Sequence, residues 1–464
     1  MLEVIKEVNS IVNGIVWGVP AIVCILGVGL VLSIRTGFIQ FRKFSDAMKN
    51  TIGKMFKKTD AKKGAMTPFQ AVCTALSATI GTGNIAGVAG AIAIGGPGAV
   101  FWMWISALLG MCTKFVEVTL AVHYRETNAH GDLVGGPMYY IKNGLKKHWH
   151  WLAYAFSIFG VLTVFGTGNA TQVNTITASI DTALLNYNLV SVENVKLVNL
   201  IIGIVIAIVV ALVLLGGVKR IGRVSEKLVP FMAVLYIILA LGVIFLNIKE
   251  VPGVFYEIFY GAFNPSAVTG GVVGSLFLSM QKGVARGIFS NEAGLGTGSI
   301  AHATADTKKP VEQGLFGIFE VFMDTIVICT LTALTLLCGV EAGVNVAWGE
   351  SAGAELISAS FGTIFGNQAG SLIVAVCLSL FALTTILSWS LYGTRCCEYL
   401  IGTKLTLIFQ VAFVVVLIFG AALKLEIAWN IADTLNGFMA IPNLIALLGL
   451  SGVVIKLTKE HFSK

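Results

Sequence analysis

From residue 197 to residue 216 the chain carries no ionisable side chain, and such a run of about twenty apolar residues is long enough to cross the roughly 30 Å of a bilayer's hydrocarbon core. Runs of this kind recur near 11–34, 66–94, 97–122, 150–182, 196–216, 224–247, 266–289, 311–339, 368–392, 404–423 and 428–455, eleven in all. Inside lipid every backbone N–H and C=O has to be satisfied within the protein, so spans of this length must be helices. The expected fold class is therefore an all-α polytopic membrane protein with eleven transmembrane helices. Composition agrees, with 56% hydrophobic and 12% charged residues, where soluble proteins average about 25% charged. The 52 glycines imply helices that pack closely or are broken on purpose.

If the spans alternate in direction, 24 of the 31 Lys and Arg fall on one side and 4 on the other (Lys6, Lys196, Lys249, Lys424), with 3 in or at the ends of helices. The basic side is expected to be cytoplasmic, so the N-terminus lies outside and the C-terminus inside a cell (plasma) membrane. Most of the bias comes from the 35–65 loop, with Arg35, Arg42, Lys43, Lys49, Lys54, Lys57, Lys58, Lys62 and Lys63. That loop follows a span directly and lacks interleaved aromatic residues, which favours anionic lipid over nucleic acid as its partner. The start, Met1-Leu-Glu-Val-Ile-Lys-Glu, lacks the basic region of a cleaved signal, so the first span is expected to remain as a helix. The outer 340–367 connection carries Glu341, Glu350 and Glu355, and its 351–365 part reads as a short helix and candidate lid. Six of the eight cysteines lie inside apolar runs, where they act as small hydrophobes, and Cys396 and Cys397 are assigned no role. No metal centre, disulfide framework or obligate protein partner is expected.

Two spans are interrupted. Ala78-Thr79-Ile80-Gly81-Thr82-Gly83-Asn84-Ile85-Ala86-Gly87 puts polar and glycine residues near the middle of the second span, and Ser279-Met280-Gln281-Lys282-Gly283-Val284-Ala285-Arg286-Gly287 does so in the seventh. Either cluster alone reads as close helix packing. Together, they are positions one and six of a ten-helix set crossing in opposite directions, the pattern of a secondary transporter with its site at the midplane. The division is then 1–65 for an extra helix and basic loop, 66–250 for one five-helix half, and 251–464 for its inverted partner. Free N–H groups of Thr82 and Gly83 would face an anion, and carbonyls near Phe277 and Leu278 a cation, so a zwitterionic amino acid satisfies both. Thr79, Gly81, Met280, Gln281 and Gly283 add small or neutral surroundings, which suit a short uncharged side chain.

The run Gly95-Gly96-Pro97-Gly98-Ala99-Val100-Phe101-Trp102-Met103-Trp104, with Lys114-Phe115-x-Glu117 beyond it, resembles the signature of the alanine/glycine:cation symporter family. Gly81 to Ala89, Gly136-Pro137-Met138-Tyr139-Tyr140 and Arg286 to Gly296 also match its pattern, so the resemblance spans nearly the whole chain. It implies the amino acid–polyamine–cation superfamily, a five-plus-five inverted repeat of leucine-transporter type with one extra N-terminal helix, and sodium-coupled uptake of alanine or glycine by alternating access. It also implies a sodium site formed by the carbonyls of Ser77, Ile80 and Phe381 and the hydroxyls of Thr384 and Thr385, hard oxygens suited to a small cation. On their own, the two threonines would more often bond back to their helix. Asn84 matches a position that in related folds orients the substrate or a second cation, with helix capping the equal alternative. Phe165, Gly168 and Gln172 lie at midplane depth, as pocket wall or as packing.

Lys114, Glu117, Lys282, Arg286, Glu320, Asp324 and Asp433 fall within helices or near their ends, where an unpaired charge costs about 2.5–3.5 kcal/mol. Lys114 and Glu117, three residues apart, are expected to pair or to snorkel; Lys282 is expected to turn to Glu320 or Asp324, or to reach the substrate carboxylate. No H-E-x-x-H occurs and the six histidines fall in loops or near helix ends, which argues against a membrane-embedded enzyme. An ion channel is a remote alternative, since no filter is repeated. The closer rival is a proton-coupled or exchange-type amino-acid carrier of the same fold, with Asp324 or Asp433 carrying the proton.

Overall fold

The computed structural model describes residues 2–55, 60–273, 275–422 and 426–463; the expected loop cations Lys57 and Lys58, and Lys424, lie outside them. Apart from one antiparallel ribbon pairing Glu126–Thr127 with Leu133–Val134, every regular element is helical. Nine helices among the described residues are long and apolar enough to cross a membrane: Lys6–Arg35, Ala99–His123, Lys147–Asn186, Val192–Leu214, Gly217–Leu246, Pro310–Glu341, Asn367–Ile401, Thr403–Ala422 and Asn430–Phe462. A further span is split into Pro68–Thr79 and Gly83–Gly95, bent by 49°. The protein is thus a multi-pass membrane protein.

Burial sorts these helices into an inner and an outer set. On Val195–Leu214 the residues Leu197, Ile201, Val205, Ile208 and Leu212 are exposed along one face, a stripe that lipid covers. In Pro68–Thr79 every residue from Phe69 onward is buried, so this helix lies inside the bundle. Its start is strongly specified. The Thr67 hydroxyl accepts from Gln70 N–H (3.1 Å), the Gln70 Oε1 accepts from Thr67 N–H (3.0 Å), and Pro68 follows at the first helical position.

The seventh predicted span departs from expectation. Leu276–Asn291 runs unbroken for 16 residues, through the 279–287 patch where the sequence reading placed the interruption, and the chain breaks at 292–296 before resuming as Thr297–Ala303. The glycines of the patch serve packing. A Cβ on Gly283 would lie 2.2 Å from the Ala99 carbonyl oxygen, and one on Gly287 would lie 2.1 Å from the Ser106 hydroxyl. Spaced four apart, they let Ala99–His123 approach at backbone distance. The break uses the left-handed conformation instead, at Glu292 (φ 54°), Gly294 (φ 97°) and Gly296 (φ 84°).

The ends of the two broken helices meet. Met66 N–H donates to Thr304 O (2.9 Å) and Asp306 N–H donates to Met66 O (2.7 Å), joining the start of the first to the end of the second. The basic loop forms a helix, Phe44–Met55, fastened to the bundle by a Lys54–Glu312 ion pair. Ala354–Phe365 is a short helix within the 351–365 stretch where one is expected from sequence. The eight cysteines are free, and no group of three or more His, Cys, Asp or Glu suited to a metal occurs among the described residues.

Candidate substrate and cation site

The first break begins where Ile80 leaves the helical conformation (φ −77°, ψ 87°). A helix start leaves its first N–H groups without acceptors. That of Gly81 is taken by Asn84 Oδ1 at 2.8 Å, whereas the N–H groups of Thr82 and Gly83 have no backbone acceptor outside their own turn among the described residues. Asn84 therefore caps the turn, and its amide also reaches across to Asp324 Oδ1 at 2.6 Å. Asp324 sits in a π-helical stretch, Phe322–Cys329, and its other oxygen accepts from the hydroxyls of Ser290 and Thr325, both at 2.8 Å. One buried carboxylate thus links the two broken helices.

The second break brings a different end of a helix to this point. A Cβ on Gly83 would lie 3.8 Å from the Phe289 ring and 3.9 Å from Ser290 Cα, so the last turn of Leu276–Asn291 faces the first turn after the first break. The carbonyls near Phe277 and Leu278, expected to face a cation, lie near the start of this helix, whereas its last turn is the part that stands against Gly83. Phe277 is 41% exposed near the helix start, Met280 and Gln281 are half-buried on the same unbroken helix, and Gly283 packs on Ala99. None of these four lies at the break.

The second break is held by charge. Glu117 Oε1 accepts from Gly294 N–H (2.9 Å) and from Asn443 Nδ2 (2.7 Å), and Asn443 also donates to Gly294 O (2.8 Å) while accepting from the Tyr140 hydroxyl. Glu292 accepts from Thr297 across the gap (2.5 Å). Lys114 does not pair with Glu117 as the three-residue spacing suggested; its ammonium is 3.2 Å from Glu320, whose second oxygen is 3.0 Å from His302 Nε2. Gln313 meets the other ring nitrogen at 2.9 Å. All these charged groups are buried, and a Cβ on Gly298 would lie 2.8 Å from Lys114 Nζ, so the second half-helix rests on the ion pair.

Four of the five residues named for sodium converge. Thr385 Oγ1 donates within reach of both Ser77 O (3.0 Å) and Phe381 O (2.9 Å), and Thr384 Oγ1 is 2.9 Å from Phe381 O. A Cβ on Gly81 would lie 2.7 Å from Thr385 Oγ1, which brings the break itself to this cluster, with buried Ile80 beside it. Ser388, one turn on, adds a hydroxyl that bonds Thr74 O (2.8 Å) and contacts the Ser77 hydroxyl. Thr79 is buried and bonds its own helix at Leu76 O (3.3 Å). On the facing helix, Gly168 lies in a π-helical turn, Gly166–Ala170, against Trp389, where a Cβ would lie 2.3 Å from Trp389 Cβ. Gln172 donates to Thr167 O (3.0 Å) and keeps a buried Oε1 without a partner. Phe165 packs edge-on to Phe409 rather than toward the break.

Ser290, His302, Ser388, Trp389 and Asn443 were not anticipated. Only Ser388 had a usable signal, since it follows Thr384 by four residues and so shares its helix face.

The sequence profile of the sodium:alanine symporter family matches residues 2–464. An "uncharacterized transporter" of Haemophilus influenzae is 45% identical over 99% of this chain and 97% of its own. The sodium/alanine symporter AgcS of Methanococcus maripaludis is 44% identical over the same shares. Among solved structures, MhsT in complex with L-phenylalanine superposes with a TM-score of 0.59 at 13% identity, covering 86% of this chain and 99% of that one, a likeness of fold. Helical spans, a helix broken at a glycine-rich turn and full-length matches agree that this is a transporter and no enzyme, and the chain belongs to the sodium:alanine symporter family.

Proposed function

We propose that the protein carries a small neutral amino acid, alanine or glycine, into the cell together with sodium, alternating access around the two helix breaks. The observation that carries this reading is the meeting at Gly83, where a half-helix N-terminus with free Thr82 and Gly83 N–H groups faces the carbonyl end of Leu276–Asn291. Helix ends of opposite dipole sign suit an α-carboxylate and an α-ammonium on one carbon. Gly81 and Gly168 pack tightly on Thr385 and Trp389, so the surroundings of the first break are close and suit a short side chain, and Gln172 Oε1 supplies a buried acceptor. The similarity to the sodium/alanine symporter of Methanococcus maripaludis supports the same substrate.

Sodium would replace the hydroxyl protons now directed at Ser77 O and Phe381 O, with Thr384 and Thr385 turning lone pairs toward it and Ile80 O completing the set. A tenfold sodium gradient supplies about 1.4 kcal/mol and 100 mV about 2.3 more, so one sodium per substrate supports roughly 500-fold accumulation.

The architecture that fits this mechanism has eleven spans, if Leu276–Asn291 and Thr297–Ala303 count as one, with an inverted repeat of 66–250 and 251–464 after the 1–65 segment. The basic loop would face the cytoplasm, with the N-terminus outside. There a cavity of about 670 Å³ lined by Arg35, Arg42, Lys43 and Lys459 suits an anionic lipid headgroup.

The test is uptake of radiolabelled alanine by proteoliposomes under an inward sodium or potassium gradient, at fixed pH and potential. Sodium should drive accumulation, glycine should compete and leucine and glutamate should not, and Thr384→Ala with Thr385→Ala should abolish the sodium dependence. A second reading has the Asp324 bridge behind it. A proton-coupled carrier using that carboxylate would accumulate alanine without sodium and would survive the double threonine change.

A further inference from the structure

Phe289 touches the first break at Gly83 and also lines a separate outer cavity of about 380 Å³. The charged groups of that cavity are Lys282 and Arg286, one turn apart on Leu276–Asn291, and a single carboxylate, Asp433, on the last helix. Lys282 turns to neither Glu320 nor Asp324, and neither cation forms an ion pair among the described residues. Arg286 and Asp433 attract each other across the cavity without closing an ion pair, which leaves Lys282 as a cation on a membrane helix that is costly unless water or an anion attends it.

Their setting is built rather than incidental. The Arg286 guanidinium lies 5.1 Å from the Phe289 ring centre and over Gly87, where a Cβ would lie 2.8 Å from Nη1. A glycine of the first broken helix thus makes space for an arginine of the second. Asp433 is held in place by the extra N-terminal helix, with Asn13 Nδ2 donating to its Oδ2 (2.9 Å) and the Trp17 indole donating to its backbone carbonyl (3.0 Å). Trp17 also stands edge-on to Phe289, ring centres 6.3 Å apart. Cations, carboxylate and the Phe289 ring therefore share one framework.

We infer that this outer cavity is a capture subsite for the amino acid, in which Lys282 and Arg286 hold the carboxylate and Asp433 the ammonium before the substrate passes Phe289 to the breaks. Two cations alone would suit any small anion; the fixed carboxylate beside them selects a zwitterion. The extra N-terminal helix, which the five-plus-five core does not require, acquires a task in positioning Asp433. The inference rests on the amino-acid substrate proposed above.

Initial rates of alanine uptake into proteoliposomes test it, for the full-length protein and for Lys282→Gln, Lys282→Arg and Asp433→Asn. Loss of either sign of charge should raise KM about tenfold with kcat within about twofold, because one end of the zwitterion loses its charged partner in the cavity. Lys282→Arg should restore KM. The parent protein's KM should rise with ionic strength while that of Lys282→Gln stays flat, a readout that a purely structural lysine would not move. If Asp433→Asn does not fold, Asn13→Ala takes its place and should raise KM about threefold. Unchanged KM in the Gln and Asn variants, or a fall in kcat at constant KM, overturns the subsite alone. A parent protein that accumulates neither alanine nor glycine overturns the transport reading, and the subsite falls with it.

Discussion

The two helix breaks face each other but are held open by different physics. At the first, between Ile80 and Gly83, the surroundings are neutral backbone and hydroxyl groups, and one side chain, Asn84, both caps the turn and ties it to Asp324. At the second, between Asn291 and Thr297, the backbone is gripped by Glu117 and Asn443 and rests on the Lys114–Glu320–His302 cluster. At the second break the N–H groups of Ala293, Gly294 and Leu295 are taken up by Asn291, Glu117 and Glu292, so they are not offered to a ligand. The free donors remain at the first break, and the second contributes the carbonyl end of its outer half. The charged scaffold fixes where that end points.

This contrast makes the second break the one whose loss should unfold the protein. Lys114→Met leaves Glu320 buried with only His302 beside it, and removing one partner of a buried pair costs about 3–5 kcal/mol. Thermal unfolding of the purified protein should show that loss, and Lys114→Met with Glu320→Leu should recover much of it. Next in size is Gly283→Ala. Its Cβ would meet the Ala99 carbonyl at 2.2 Å, so the helices must separate, at about 3 kcal/mol. Asn443→Ala should cost about 1–3 kcal/mol, since Glu117 and the Gly294 carbonyl each lose a buried donor and Tyr140 loses its acceptor. The smallest change in stability is expected at Gly83→Ala, whose Cβ finds its nearest neighbour at 3.8 Å and whose helical backbone tolerates alanine, so unfolding should shift by less than about 0.5 kcal/mol. In the proposed site that methyl would meet the ligand, and alanine affinity should still fall. Equal stability losses in Gly83→Ala and Lys114→Met would erase the distinction between the breaks.

The first break was legible from sequence because Gly81, Thr82, Gly83 and Asn84 interrupt an apolar run that is otherwise uniform. The second was misplaced for a physical reason. Gly283 and Gly287, alternating with Lys282 and Arg286, resemble an interruption, yet composition does not distinguish a glycine that admits a neighbouring backbone from one that adopts positive φ, and the latter, Gly294 and Gly296, lie just past the apolar run. Pairing was hidden too. Three-residue spacing pointed Lys114 at Glu117, whereas packing supplies Glu320 from more than two hundred residues away. The threonines of Asn367–Ile401 were identified through family resemblance, and their local bonds to Phe381 O alone would have hidden them among ordinary back-bonded helix threonines.

The most direct test of the central claim is an experimental structure of the protein with alanine and sodium bound. The account predicts the α-carboxylate within hydrogen-bond distance of the Thr82 and Gly83 N–H groups and the ammonium against the carbonyls of the last turn of Leu276–Asn291. Alanine bound with its carboxylate turned away from the first break, or along Phe277 to Gly283, would contradict it.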